Sequence, residues 1–393
     1  MRKEIHFAGG IKLLCVLTAG VFLLSACGKT GEKDADGAIL STESDRMGTG
    51  TDEADFAYPY VAESEKGYYF WERVSPDQFY PRLMFMDRES GRVVPLCSRP
   101  DCTHEGMECN AYFRVVENDG GGVHKYYLQY YEGDLYAVGL SEDAYVSLFR
   151  IRADGSGEWE ISAKLYRTDY AATGEWKTPH VLIHGGYVYF DDRYQKIQKL
   201  ERMSIDGGPS EVLFTGDRDA SAVSIQRIKS NGDLLFFSVM SYWNDTPENA
   251  EVAAYRYDPA AGQCSMVLEG FLSTFSVRDG FLYYSSAEGL RRYSIQDQTT
   301  ELLVEQPMNV PTITLTRDYI ILCDQWGDGG TLTFYDYEGK KITTVPNTLN
   351  VGWYFGGDSD MLFGECWDDY LSLGFLDLRR PVKKWQWEEL KEN

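Results

Sequence analysis

From about residue 57 onward the chain sets short apolar, aromatic runs against polar turns, as in GYVYFDD (186–192) and DGFLYYSS (279–286). Successive side chains of an extended segment point to opposite sides. Runs such as YVYF and FLYY therefore predict strands that bury both faces, and no stretch keeps a long 3.6-residue apolar period with helix caps. The pattern repeats. A turn and an aromatic strand lead through a polar loop to a second strand, then an aspartate-containing turn and a third strand. Copies fall at 67–96, 133–165, 186–214, 232–268, 279–305, 317–345 and 359–387, with turn residues Asp87, Asp154, Asp206, Asp258, Asp297, Asp336 and Asp377. Each copy follows another strand-like segment, from YPYVAE (58–63) to GWYFGG (352–357).

Four strands in each of seven units of about 40 residues predict an all-β chain folded as a β-propeller. Seven four-stranded blades are expected, with six or eight as alternative counts and two β-sandwiches as the competing architecture. A single blade cannot cover both its faces, whereas blades stacked around an axis can. The aromatic share of 14% and the frequent glycine agree with strands and tight turns.

Two of the copies, GYVYFDDRYQKIQKLERMSIDGGPSEVLF and FLYYSSAEGLRRYSIQDQ, resemble the YWTD-type propeller repeats of low-density-lipoprotein-receptor-like proteins. They are more similar still to bacterial propeller lipoproteins of unassigned function, which carry DG-hydrophobic-YY strands and IDG turns. The YWTD tetrapeptide itself is absent, and receptor propellers of that kind have six blades. The resemblance implies a fold, not a ligand.

The N-terminal segment reads differently. Arg2, Lys3 and Lys12 precede an apolar run, Leu13 to Leu24, that is too short to span a bilayer and suits a signal-peptide core. It ends in Leu24-Ser25-Ala26-Cys27, which resembles the lipobox of bacterial lipoproteins. The resemblance implies cleavage after 26 and acylation of Cys27, which would hold the chain on the extracytoplasmic face of a cell membrane. Residues 27–56 read as a lipidated cysteine and a flexible linker, too polar to form a core. The single propeller domain is expected over 57–393.

The formal charge of −23 makes nucleic acid a poor partner. The expected partners are the bilayer, through Cys27, and a glycan, peptide or protein ligand; the chain itself is expected to be a monomer. Strand alternation places the loops between second and third strands on one face, together with the connections between blades. Several of these loops carry tryptophan beside carboxylate: Trp71; Trp243 with Asp245; Trp326 with Asp328; Trp367 with Asp368. Such pairs can hold a sugar or a peptide, and the same rings can also pack between blades. No G-x-S-x-G or H-E-x-x-H motif occurs. A binding module is the primary expectation, and an extracellular hydrolase or lyase of polysaccharide or peptide the alternative.

One segment carries distinct chemistry. LCSRPDCTHEGMEC (96–109) groups Cys97, Cys102, His104 and Cys109 as C-x4-C-x-H-x4-C, within an insertion expected over about 97–124 between the first and second blades. Three thiolates and an imidazole make a tetrahedral zinc set that leaves no position for water, which suits a structural ion. One disulfide with a spare thiol, or three free thiols, fit the same residues in an exported protein. The LC-x-x-PDC-x-H signature is one associated with the same bacterial lipoproteins.

Overall fold

The structure, a computed structural model, describes residues 61–72, 80–114, 127–169, 177–243, 250–270, 275–305, 312–323, 330–349, 351–355, 360–366 and 373–391. These residues form seven four-stranded antiparallel sheets, each built from four consecutive strands, arranged as a β-propeller. The innermost strands are Val61–Glu63, Leu128–Tyr131, Val181–His184, Ala222–Asn231, Phe275–Arg278, Thr312–Leu315 and Val351–Phe355. Each falls on, or within two residues of, the strand-like segment that precedes a sequence repeat. Among the described residues the one helical element is a single 3₁₀ turn, Val382–Lys384.

The turn aspartates work locally, where the third strand of a blade turns into the fourth. The side chains of Asp87, Asp154, Asp258, Asp336 and Asp377 accept backbone N–H groups two to four residues on, from Ser90, Ser156, Ala260, Lys340 and Arg379 at 2.8–3.1 Å. This is the bond that makes aspartate a turn former. Asp206 instead accepts from Arg150 of the preceding blade at 3.1 Å, and Asp297 accepts from the hydroxyl of Ser294.

Packing between successive blades follows the alternation. Leu182, Tyr189 and Leu200 of blade 3 meet Ile225, Leu235 and Phe237 of blade 4, all of them buried. Blades 2, 3 and 5 add a polar rung at one shared register. Tyr136, Tyr189 and Tyr283 on the second strand face Arg150, Arg202 and Arg292 on the third, which in turn face Glu160, Glu211 and Glu301 on the fourth. Arg150 and Arg292 also reach the next blade, at Asp206 and at the Tyr337 carbonyl.

An inner strand leaves one edge without a strand partner. Side-chain amides from the neighbouring blade cover part of that edge. Gln129 bonds both the N–H and the carbonyl of Ile183 at 2.8 Å, and Asn347 does the same for Val351 at 2.8 and 2.6 Å. At the rim, the outer strands of blades 2 to 5 bulge at one common register, where Ser162, Leu213, Val267 and Leu303 are the extra residues. A bulged edge is a poor template for another chain.

Blade 7 closes on blade 1 without exchange of a strand. Phe363 packs its ring 5.1 Å from that of Tyr68, and Val351, Leu362 and Leu376 share one core with Phe70, Met84 and Met86. Arg379 donates to the Arg88 carbonyl at 2.8 Å, and Arg88 pairs with Asp360 at 3.8 Å. Phe363→Ala should therefore cost about 3–5 kcal/mol in urea unfolding. Met266→Ala, on an outer strand where Met266 is 53% exposed, should change stability by no more than about 0.5 kcal/mol. Equal effects would show that the ring is not held together at this interface.

Candidate metal centre

The fourth strand of blade 1 is short, and the reason is the cysteine loop. Val93–Pro95 pairs with the third strand, Arg82–Asp87, through Met86↔Val93, Phe85↔Val94 and Met84↔Pro95. Leu96 continues the ladder by donating to the Leu83 carbonyl at 2.8 Å. There the chain leaves the sheet, and it comes back at the same point. Leu83 donates to the Ala111 carbonyl at 2.7 Å, Tyr112 bridges Arg82, and Phe113 donates to the Pro81 carbonyl at 3.1 Å. Residues 97–110 are therefore an excursion inside the outer strand of blade 1. The sequence placed the loop between blades 1 and 2. Its true position was hidden because Ala111-Tyr112-Phe113 is too short a segment to read as half a strand.

Both ends of the excursion carry a cysteine, Cys97 at the exit and Cys109 near the return. The ligand atoms of Cys97, Cys102, His104 and Cys109 all lie within 4.8 Å of one another, and Cys109 Sγ is 3.5 Å from His104 Nδ1. A zinc tetrahedron with bonds of about 2.3 Å to sulfur and 2.0 Å to nitrogen has edges of about 3.5–3.8 Å, so the grouping fits that ion. A disulfide would bring just two of the sulfurs together, to about 2.05 Å, with no role for the imidazole. Cys97, Cys102, Cys109 and Cys264 are free thiols. Cys323 and Cys366 are buried in strands of blades 6 and 7, and Cys264 lies in the outer strand of blade 4.

Local geometry explains the tight C-x-H spacing. His104 takes a left-handed φ of +62°, a conformation open to histidine more than to most residues. That turn folds the imidazole back toward the sulfur atoms. The loop is braced inside and out. Arg99 donates to the Glu108 carbonyl at 2.8 Å, and Cys109 N–H to the Gly106 carbonyl at 2.9 Å. Cys109, Ala111 and Tyr112 form a small core with Tyr80, Met107, Cys97 and Cys102 around it. Arg82 holds Glu72 across the sheet at 2.6 Å and reaches the His104 carbonyl at 3.4 Å.

The thiols are not equivalent. The His104 backbone N–H is the largest influence lowering Cys102. Burial pushes Cys109 up to about 12. A cation beside it would favour the thiolate.

The loop also leans on blade 2. The backbone N–H and hydroxyl of Ser98 both donate to the Gly155 carbonyl at 3.2 Å. Directly after the loop, Phe113 is fully buried in an aromatic group. Its ring lies 5.3 Å from Trp71, 4.7 Å from Trp159 and 5.2 Å from Phe149.

Of the proposed ligand-face residues, Trp71 and Trp243 are described, and both are half-buried. Trp71 packs between blades 1 and 2, and Trp243 against the core between blades 3 and 4. Asp245, Trp326, Asp328, Trp367, Asp368 and Cys27 lie outside the described residues. A further polar group lies in blade 3. His180 bonds the fully buried Asp191, its N–H at 2.6 Å and its ring Nδ1 at 3.2 Å, with Arg193 at 3.4 Å from both ring nitrogens.

No family model and no curated protein matches this chain. Solved structures show its fold. It is similar to a prolyl endopeptidase, one of two studied for the role of inter-domain dynamics in catalysis and specificity, at 12% identity and TM-score 0.54, over 88% of this chain and 51% of that one. It is also similar to prolyl oligopeptidase B from Galerina marginata, at 8% identity and TM-score 0.50, over 88% and 52%. A match to the nidogen/laminin complex, at 16% identity and TM-score 0.35, covers 57% of this chain and 79% of that one. It is too slight to carry the YWTD resemblance. The chain spans about half the length of the two peptidases, and at these identities the likeness is one of fold alone.

The contact between the loop and blade 2 can be isolated by two substitutions. Gly133 and Gly155 both have left-handed φ, of +92° and +74°. A Cβ at Gly133 meets nothing within 4 Å, whereas one at Gly155 comes 3.0 Å from the Cys97 backbone nitrogen. Both alanine variants should lose about 1–2 kcal/mol to backbone strain. Gly155→Ala should lose measurably more in urea unfolding, and equal losses would show that the loop does not press on this turn.

Proposed function

We propose that this chain is a lipid-anchored, extracytoplasmic propeller that binds a glycan, a peptide or a partner protein, and that Cys97, Cys102, His104 and Cys109 hold one structural zinc. The convergence of all four ligand atoms within 4.8 Å, in one braced loop, carries the metal assignment. Four protein ligands complete a tetrahedral shell, so the ion supplies rigidity in place of catalysis. The anchor rests on the lipobox-like Leu24-Ser25-Ala26-Cys27 and the polar linker behind it. The binding role rests on the sequence alone, on Trp326, Trp367 and the carboxylates Asp245, Asp328 and Asp368 in segments between second and third strands, since Trp71 and Trp243 pack into cores. An extracellular hydrolase or lyase is the second reading, motivated by the peptidases of similar fold. The chain spans about half their length, so their activity is not carried over.

Two measurements test these assignments. Metal analysis of the purified full chain should give about one zinc per chain, and Cys102→Ala should remove it. A metal-free protein two protons lighter than its sequence mass would instead assign a disulfide. Cys27→Ser should release the chain from membranes into the soluble fraction, and unchanged membrane retention would overturn the lipid anchor.

A further inference from the structure

The loop does more than enclose its own small core, because of where its two ends rejoin the sheet. Residues 111–113 are the displaced second half of the outer strand of blade 1. They are held there by the bonds from Leu83 to Ala111 and from Phe113 to Pro81, and by the bridge between Tyr112 and Arg82. Cys109 stands directly before this segment, and its carbonyl accepts from the Tyr112 N–H at 3.2 Å. Phe113 ends the segment inside the aromatic group that joins blade 1 to blade 2. Trp71 belongs to the second strand of blade 1, Gly67–Glu72, and Phe149 to the third strand of blade 2, Tyr145–Arg152; Trp159 directly precedes the fourth strand, Glu160–Arg167. Trp71 and Trp159 also approach each other, at 5.8 Å. A ligand set that fixes Cys97 against Cys109 closes the neck of the excursion, and so fixes where residues 111–113 begin.

We propose, resting on the metal reading above, that metal occupancy of the loop seats Phe113 against the stacked Trp71 and Trp159 and thereby controls closure of the interface between blades 1 and 2. Without the ion, closing the loop is an entropy cost borne by a few backbone bonds and one small core. With it, the binding energy of four ligands is coupled to completion of the outer strand. The consequence is local. The equivalent outer strand of blade 5, Thr300–Glu305, is continuous with its neighbours and carries no such loop.

The test follows amide exchange and tryptophan emission of the purified full chain before and after a zinc chelator, with metal content measured on the same samples. On metal loss the amides of Leu83 and Phe113 should exchange faster by on the order of tenfold or more, while those of 300–305 stay unchanged. Emission should shift to the red, the shift should shrink in Trp159→Phe, and added zinc should reverse both changes. Cys102→Ser should resemble the chelated protein before any chelator is added. Release of zinc with unchanged exchange at Leu83 and Phe113 would overturn the clasp and leave the structural zinc standing. A full chain that carries no zinc as purified would overturn both.

Discussion

A four-stranded blade has two apolar faces and can bury them only between two other blades. That constraint organises this molecule. Six interfaces are met by neighbours in sequence, but the seventh joins residues nearly three hundred positions apart. Tyr68 against Phe363, and Arg379 on the Arg88 carbonyl, must make that contact without a shared strand. Other features follow from keeping the ring shut. Arginine rungs tie blade 2 to blade 3 and blade 5 to blade 6, and side-chain amides cover inner edges that a strand exchange would not reach.

Once the ring is closed, freedom remains at the rim. The outer strands of blades 2 to 5 are more exposed than the strands inside them, and their bulges show that the register tolerates an extra residue. The cysteine loop exploits the same tolerance on a larger scale, opening the outer strand at Leu83 and closing it there again. An excursion of this length inside an inner strand would break the contacts that close the ring. At the rim it costs local order, which a bound ion can restore. The cluster therefore belongs with the architecture: it stands at an interruption in a blade, beside Phe113, which packs against the neighbouring blade.

Repetition and chemistry were legible to different degrees. All seven inner strands could be located because each directly precedes the same turn and aromatic pattern, and the aspartates announced their turns because their bonds reach only a few residues. The four ligand residues were legible because they lie in one short segment. What they join was not: the pairing of Tyr112 with Arg82 spans the whole loop, and no local pattern marks it. The tryptophans divide in the same way. Their types suggested a ligand face, while the burial of Trp71 and Trp243 depends on neighbours contributed by other strands.

The sequence by itself determined the strand content, the repeating unit and the residues able to hold a metal, because these depend on alternation, on turn chemistry and on donor atoms close together in the chain. The tertiary structure alone decided how the ring closes, that the loop splits a strand instead of linking two blades, and that Phe113 binds the loop to an aromatic core. Those outcomes rest on contacts between residues distant in sequence, whose partners are chosen by burial and shape after the strands have formed.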